Sequence, residues 1–433
     1  MTRRAKVVLA AWAALTVTIV LAPPPARAIP AFARKYGLRC TSCHEAWPKL
    51  NDFGRAFRDN GYQMLLGKDD TVTATPGYWP VSVRLTPHYE YNEVTNQLTD
   101  QGVKKLGTGG VAGIGMDLLT AGTVVNNVSF LVVPTGFAPD GVVTLESAWV
   151  RLDNLFGSSW ANVKIGKHEV DLPVSAHRPW NLSSTGYLIY GFHASGSISS
   201  YDMGTNQRGI EYMGHDRGSL NRVAVSVFDV EDSPGSRHVF DTPGVYVHAT
   251  HEWIFDNAPI SEAKLGVFGS YTSWPTTFFT DGGQPIPGTG GNLEPSSKYG
   301  VEGQLWFGPP ATPFHAIIVF AHGQDSKALI PDATQNGTFN GGFFEIGYSL
   351  NLKTLIFGRY DICKNSRQGV VDAAQNLNDQ DAHTIGLRHT FSFTNRSEYA
   401  LHVEYTSVRT KGAGANGLDT RSNTYFAGID FAY

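Results

Sequence analysis

The chain has 433 residues with 34 basic and 38 acidic side chains, and only 17% of its residues are charged. This near-neutral balance offers no basic patch of the kind that nucleic-acid binding requires, so nucleic acid is excluded as a partner. The 47 glycines and the 12% aromatic content favour an all-β chain, and no run beyond the N-terminus is long enough for a membrane-spanning helix.

The N-terminus carries an export signal. Three basic residues within the first six positions precede the apolar run 7–22, and Ala26-Arg27-Ala28 forms a small-x-small cleavage site. The run is shorter than the roughly 20 residues that a membrane anchor needs. We therefore predict that residues 1–28 are a signal peptide for the general secretory route and that the mature chain begins near Ile29.

Three cysteines are an odd number for an exported chain, so a disulfide framework is disfavoured. Two of them lie in Cys40-Thr41-Ser42-Cys43-His44, the C-x-x-C-H pattern of covalent haem attachment. Cys40 and Cys43 are predicted to bind the porphyrin, and His44 the iron, as the proximal ligand. The alternatives are a local disulfide, a zinc half-site or a chance occurrence of the pattern. A zinc site needs two more ligands at suitable spacing, and the remaining cysteine, Cys363, is far away in a predicted strand and is assigned no chemistry.

A short helix is predicted directly after this motif. Pro48 can open a helix, and Leu50, Phe53 and Phe57 then recur on one face. Asn60-Gly61 supplies a stop signal. The pattern therefore predicts a helical segment beside the motif.

The region 29–75 is predicted to be a small haem-packing unit. Phe32, Tyr36 and Trp47 add aromatic surface for a flat cofactor. A unit of this length is rarely stable without an additional stabilising element, which we call a staple. Haem is one such staple, and a surrounding barrel wall is another.

From Trp79 onward the pattern changes to a period of two, which predicts β-strands. About 16 strands are counted when weaker segments are included, which favours a transmembrane antiparallel barrel over residues 76–433. A soluble sandwich also alternates, so alternation alone does not decide. The clearest predicted strands are Val81 to Tyr91, Thr144 to Asp153, Trp160 to Lys167, Leu220 to Asp229, Val245 to Trp253, Lys264 to Tyr271, Tyr299 to Trp306, Phe343 to Leu350, Leu355 to Tyr360, Thr384 to His389 and Tyr399 to Val408.

The links between strands alternate between short and long, as in outer-membrane barrels with short periplasmic turns and long external loops. An even strand number then places both barrel ends, and the haem segment, on the periplasmic side. The short links are predicted at Thr120 to Gly122, Asn154 to Ser159, Asp216 to Gly218, Asn351 to Lys353 and Thr394 to Ser397. The long ones are predicted at Asn92 to Gly109, Val170 to Asn206, Pro275 to Ser297, Gln324 to Phe339, Lys364 to Asp381 and Arg409 to Asn423.

The C-terminus also favours a barrel. Aromatic and aliphatic residues occupy every second position up to the terminal aromatic, in Tyr425, Ala427, Ile429, Phe431 and Tyr433. A soluble edge strand rarely ends on exposed aromatics. The pattern resembles the terminal signal by which outer-membrane barrels are recognised for assembly.

The N-terminal region resembles the fused cytochrome-porin family of iron-oxidising bacteria. The resemblance is specific over residues 30–64 and only architectural beyond them, and Arg39 before Cys40 is a departure. It implies one covalently attached haem c on Cys40, Cys43 and His44. The residues that carry it are Phe32 to His44, Leu50, Phe53-Gly54, Phe57 and Gly61-Tyr62.

What the resemblance implies is an electron-transfer protein of the bacterial outer membrane that oxidises an external donor such as ferrous iron and passes electrons to a periplasmic cytochrome or other carrier. Its haem would lie on the periplasmic side or inside the lumen. Outer-membrane lipid is a further partner, and the acidic and amide cluster in Asp372 to Asp381 could bring an extracellular metal ion to the surface. No catalytic side chain is assigned. The alternatives are a passive porin with a gating or structural haem segment, and an outward conduit that reduces external metal.

The second axial ligand of the haem iron is left open by the sequence. Water is one candidate. The side-chain candidates are Met64, His88, Met116, His168 and His177.

Overall fold

The computed structural model describes residues 31–38, 42–46, 49–64, 71–72, 74, 80–137, 143–177, 179–182, 186–191, 201–229, 243–256, 259–275, 293–309, 312–330, 333–351, 353–366, 379–393 and 398–432. The predicted signal peptide 1–28, Cys40 and residues 372–378 of the predicted acidic loop lie outside these described residues.

Sixteen antiparallel strands, β3 to β18, form a closed barrel, which confirms the predicted fold class. Each strand pairs with its neighbours in sequence, and β18 closes the barrel against β3 with Phe431 opposite Leu85 and Tyr425 opposite Tyr91. The strands are β3 Val81–Thr99, β4 Gly102–Val125, β5 Val128–Phe137, β6 Val143–Leu152, β7 Asn162–His168, β8 Gln207–His215, β9 Asn221–Asp229, β10 Pro243–Ile254, β11 Ile260–Pro275, β12 Leu293–Phe307, β13 Phe314–Asp325, β14 Gly337–Asn351, β15 Thr354–Asn365, β16 Gln380–Phe393, β17 Glu398–Thr410 and β18 Thr420–Ala432.

The two faces of the wall differ in polarity. On β12, Val301 points outward and is 50% exposed, whereas the next residue, Glu302, points inward and is 3% exposed. The same alternation places Leu265, Phe320 and Val403 on the outside. Closure leaves no unpaired strand edge, and an apolar exterior around a polar interior is the arrangement of a transmembrane barrel.

Both ends of the barrel wall lie at the same end of the barrel because the strand number is even. The short links 126–127, 153–161, 216–220 and 352–353 also lie at this end, which we call the turn end. The longer links, including residues 169–206, lie at the opposite end. In the part of the chain that the structure describes, three short 3₁₀ helices lie within links, at Leu155–Gly157, Lys327–Leu329 and Ala415–Gly417.

Two predicted links are wrong. Thr120 to Gly122 lies within β4, and Asn92 to Gly109 forms the β3–β4 hairpin with a turn at residues 100–101. Here glycine does not mark a loop. A Cβ on Gly107 would lie 2.3 Å from the Tyr91 hydroxyl oxygen, so glycine makes room for the tyrosine ring of the facing strand.

The described residues before the barrel form two helices and a small hairpin, namely α1 Ala31–Tyr36, β1 His44–Ala46, β2 Lys49–Leu50 and α2 Asp52–Asp59. The Asn51 side chain caps α2 by accepting a hydrogen bond from the Gly54 amide. The predicted end of the helix at Asn60 is confirmed, but its predicted start at Pro48 is wrong because residues 49–50 pair with β1. Among the described residues, no helix combines the length and apolar character needed to cross a membrane.

The described parts of the link 169–206 fold into the barrel interior. Its side chains Ile189, Tyr190 and Met203 are fully buried against inward-facing wall residues such as Ile317 and Val319. This cluster is the largest apolar core of the described chain. We call the described parts of residues 169–206 the inner loop.

Candidate functional site

The β1–β2 hairpin is bound to the inner wall through Glu45. The Trp306 indole Nε1 donates to Glu45 Oε1 at 3.0 Å, and His315 Nδ1 lies 3.0 Å from Glu45 Oε2. Burial favours the protonated acid, but the charges of His315 and Lys49 and the hydrogen bonds from His315 and Trp306 hold the pKa of Glu45 at about 2. Glu45 is therefore a charged anchor directly beside His44.

Lys49 joins the same hairpin to the inner loop. Its Nζ lies 3.5 Å from the centre of the Trp180 ring and within 4 Å of the carboxylates of Glu45 and Glu345. A Cβ on Gly347 would lie 2.4 Å from the Trp180 ring, so a glycine in β14 makes room for this indole. The hairpin is thus held between the barrel wall and the inner loop.

The end of α2 is held by a chain of buried charges. Asp59 Oδ2 lies 3.2 Å from Arg222 Nε on β9, and Arg222 Nη1 lies 2.5 Å from Asp171 of the inner loop. Although burial favours the protonated acids, Arg222 holds the pKa of both Asp59 and Asp171 below the ordinary value. One arginine therefore connects helix, wall and inner loop. We call these three residues the Arg222 triad.

An aromatic cluster packs the rest of this segment. Tyr62 stacks on Phe32 with ring centres 4.8 Å apart and on Trp149 of β6 at 6.2 Å. Phe57 packs edge-on against Phe32 at 5.1 Å, and the Tyr36 hydroxyl donates to the Tyr62 carbonyl at 3.1 Å. These aromatics form the core of the described residues within 31–64, which we call the N-terminal segment, and attach that segment to the wall.

The structure places Cys43 and His44 within this docked segment. The Asn51 amide donates to the Cys43 carbonyl at 2.9 Å, and a Cβ on Gly54 would lie 2.1 Å from that oxygen, so α2 packs directly on the motif. Burial raises the pKa of the Cys43 thiol to about 11. An unmodified Cys43 is therefore a weak nucleophile, since the thiolate is the reactive form.

A cavity of about 180 Å³ lies where the N-terminal segment, the wall and the inner loop meet. Both cations and acids line it, including Arg58, Lys164 and Glu211. Leu50 and Tyr62 belong to its lining on the side of the N-terminal segment. We call this space the central cavity.

Two of the predicted axial-ligand candidates, His168 and His177, line the central cavity. His168 is 1% exposed, and the Nε2 atoms of both rings are buried without a hydrogen-bond partner among the described residues. Met64, His88 and Met116 do not belong to the cavity lining, and Met64 is 41% exposed.

The chain is similar to several solved porin structures, whereas no family model and no curated protein sequence matches it. The anion-selective porin from Comamonas acidovorans has 12% identity and a TM-score of 0.48 over 82% of this chain and 99% of that chain. OmpT, an outer membrane protein of Vibrio cholerae, has 10% identity and a TM-score of 0.49 over 82% of this chain and 99% of that chain. OprB of Pseudomonas putida has 12% identity and a TM-score of 0.47 over 81% of this chain and 94% of that chain. Because these identities and TM-scores are low, the fold of this chain is assigned from its own strand pairing.

The residues around the motif fit a c-type haem. Cys43 and His44 are half-buried in the docked part of the chain. Two imidazole nitrogens that have no hydrogen-bond partner among the described residues lie in the central cavity, whose lining includes neither Cys43 nor His44. Cys40 lies outside the described residues. Cys43 would hold the porphyrin, His44 the iron, and an imidazole is a suitable second ligand. Cys363 is fully buried in β15, which confirms its predicted position as a buried strand residue.

A second cluster combines Asp52, Glu252 and Glu262, whose ligand atoms lie within 4.8 Å of one another. Arg55 contacts Asp52 and lies 2.9 Å from Glu252. Because the guanidinium already supplies a positive charge, we assign this cluster to docking of α2 rather than to a metal ion.

Sequence reasoning missed the residues that dock the segment, namely Glu45, Lys49, Asp171 and Arg222. Glu45 and Lys49 do follow the motif closely, and charges in a predicted haem-packing unit are a usable signal. Their partners His315 and Glu345 lie on distant strands, and the linear pattern gives no sign of those pairings.

Proposed function

We propose that this chain is an outer-membrane cytochrome-porin that carries electrons across the membrane through one haem c attached to Cys40 and Cys43. The observation that carries the proposal is that the C-x-x-C-H motif belongs to a segment docked inside a closed barrel, through Glu45 and Lys49. A single redox group can serve both faces of a membrane only from within it. The docking of this segment in the lumen supports the proposal.

A bound haem would supply reversible one-electron chemistry. The chain's own residues hold the segment and limit the access of water to it. Glu45 fixes the hairpin beside His44, and the Arg222 triad fixes the end of α2. The apolar core of the inner loop packs against inward-facing residues of the wall.

The proposed direction is inward, from an external donor such as ferrous iron to a periplasmic electron carrier. The family resemblance of residues 30–64 supports this direction. The alternative of an outward conduit carries electrons in the opposite direction, from the periplasm to an external metal. The haem potential separates the two, because donor oxidation needs a potential above that of the donor.

A passive porin is the second candidate. The observation that favours it is the architecture itself, a 16-strand barrel with a charged interior and a link folded into the lumen. Porins use such interiors for water-filled channels. In this case the N-terminal segment acts only as a gate or a structural plug.

The deciding experiment is covalent haem staining of the protein purified from outer membranes of a host that attaches c-type haem. We expect staining of the wild type and its loss in Cys40→Ala and Cys43→Ala, because the thioethers are made by these thiols. Cys363→Ala is the matched control and should keep the stain. All variants should retain the heat-dependent gel mobility of a folded barrel.

Undiminished covalent haem in the Cys40→Ala, Cys43→Ala double variant would refute the cytochrome assignment. A wild type without covalent haem that conducts ions would establish the passive porin instead.

A further inference from the structure

A row of side chains crosses the outer face of the wall near the end that carries the longer links, which we call the loop end. Tyr299, His322, Asn340 and Lys364 lie directly opposite one another on the adjacent strands β12 to β15. Directly opposed residues project to the same face of a sheet. The alternation along β15 places Lys364 outside and Cys363 inside. We call the four outward residues the upper row.

The upper row lies near one surface of the membrane. At the other end of these strands, Phe307, Phe314 and Tyr348 form an outward stack with ring centres 5.1 and 4.2 Å apart. Aromatic residues in such a position mark the membrane–water interface of a barrel. His322 follows Phe314 by eight positions on β13, which is about 20 Å along the membrane normal for a tilted strand. The upper row therefore lies close to the opposite edge of an apolar band about 25 Å tall.

The upper row directs hydrogen-bond donors to the outside. His322 Nδ1 lies 2.9 Å from Asn340 Oδ1, and an amide oxygen only accepts, so the ring donates to the amide. The Nδ2 group of Asn340 is then available as a donor. Tyr299 packs against the imidazole with ring centres 5.2 Å apart. The ring thus orients the Asn340 amide.

Lys364 adds a positive charge that has no ion-pair partner among the described residues. Two acids lie next to β15, and each faces another cation. Asp379 pairs with Lys411 at 3.3 Å, and Asp381 lies directly opposite Arg409 on β17. An ammonium group beside an amide N–H suits an anionic oxygen group such as a phosphate.

A groove of about 450 Å³ adjoins the upper row on the outer face of the wall. Its lining combines the upper row with Val301, Phe320 and Ile362, which lie two positions nearer the turn end. Gly342 lies between Phe320 and Ile362 and adds no side chain to the surface. Donors above an apolar groove match the two parts of a lipid, a phosphate headgroup and its acyl chains.

We propose that this groove is a specific binding site for a phosphate-bearing lipid of the outer leaflet. The phosphate binds at Asn340 and Lys364, and the acyl chains lie against Val301, Phe320 and Ile362. Long links face the outside in outer-membrane barrels, so the loop end meets the outer leaflet. The inference goes beyond the proposed function and does not require a haem.

The test is native mass spectrometry of the purified full-length protein in detergent with diphosphorylated lipid A, the phosphorylated lipid anchor of the bacterial outer leaflet. The same lipid after removal of its phosphates is the second probe. We expect Lys364→Gln to bind the phosphorylated lipid about fivefold more weakly than the wild type, as for one basic residue at a lipid surface. Removal of the phosphates should weaken binding to the wild type more than to Lys364→Gln.

The matched control is Lys327→Gln. Lys327 is exposed in the link between β13 and β14 at the loop end and does not belong to the lining of the groove. This variant should bind like the wild type, and all variants should keep the heat-dependent gel mobility of a folded barrel.

Three results would refute the site. They are equal binding of phosphorylated lipid A by the wild type and Lys364→Gln, equal binding of the two lipids by the wild type, and an equal loss in the Lys327 and Lys364 variants. An assembly of two or more chains that displaces the lipid would assign the groove to a second copy of the chain and would also refute the proposal.

Discussion

Two regions share the lumen of this barrel, and they are held there in different ways. The inner loop packs through apolar side chains such as Ile189, Tyr190 and Met203 against Ile317 and Val319. The N-terminal segment is held mainly by charged and polar pairs with the wall and the loop, together with one aromatic cluster.

This difference indicates which of the two regions can be released from the lumen while the other stays in place. Apolar burial is spread over many contacts, at about 25 cal/mol per Å², so no single side chain decides it. A buried ion pair is weak evidence for stability, but removing one partner leaves an uncompensated charge. The position of the N-terminal segment therefore depends on a few residues, and the inner loop should stay in place when those residues are changed.

The largest effect is expected from Arg222→Ala, which breaks the ionic docking. The change leaves the buried carboxylates of Asp59 and Asp171 without their shared cation. Loss of one partner of such a network costs about 3–5 kcal/mol. We expect the segment to be released, seen as increased single-channel conductance in planar bilayers and as protease cleavage within residues 49–64.

The matched control is Arg208→Ala on the neighbouring strand β8. Its side chain is half exposed and lies 3.9 Å from Asp229. Such a pair contributes about 1 kcal/mol or less, so the conductance should stay at the wild-type value. Equal conductance of the Arg222 and Arg208 variants would contradict ionic docking of the segment.

A smaller effect is expected from acid. The folded-state pKa of Asp59 and of Asp171 is lowered, because Arg222 outweighs burial. A lowered pKa contributes stability in full above the unfolded value, about pH 4, and that stability is lost as pH falls through the folded value. We expect unchanged conductance from neutral pH down to about pH 4 and opening only in stronger acid. Opening that begins near about pH 6 would show that another group controls docking.

The barrel was largely predictable from the sequence. Strand segments such as Tyr299 to Trp306 alternate cleanly because one face meets lipid and the other the lumen. Predictions failed where glycine serves packing rather than turning, as at Gly107 under Tyr91 and through Thr120 to Gly122. The sequence does not distinguish a glycine that forms a turn from a glycine that makes room for a neighbouring side chain. Only the side chains of the facing strand show which role a glycine has.

The candidate site was predictable only in part. A local motif fixes Cys40, Cys43 and His44, because attachment chemistry needs that spacing. The docking residues are not local. Asp59 and Arg222 are 163 positions apart by the numbers of the sequence, and no periodicity joins them. Of the five side chains considered as second axial ligand, the sequence could not show that His168 and His177 line the central cavity, each with a buried Nε2 that has no hydrogen-bond partner among the described residues.

Electron transfer across a sealed membrane tests the central claim most directly. The haem-loaded protein would be placed in vesicles that enclose a soluble oxidised c-type cytochrome, with ferrous iron added outside and the enclosed cytochrome followed by its absorbance. The Cys40→Ala, Cys43→Ala barrel measures any iron that leaks through the lumen. We predict reduction with the wild type well above that control. Equal rates with the two barrels would contradict the account.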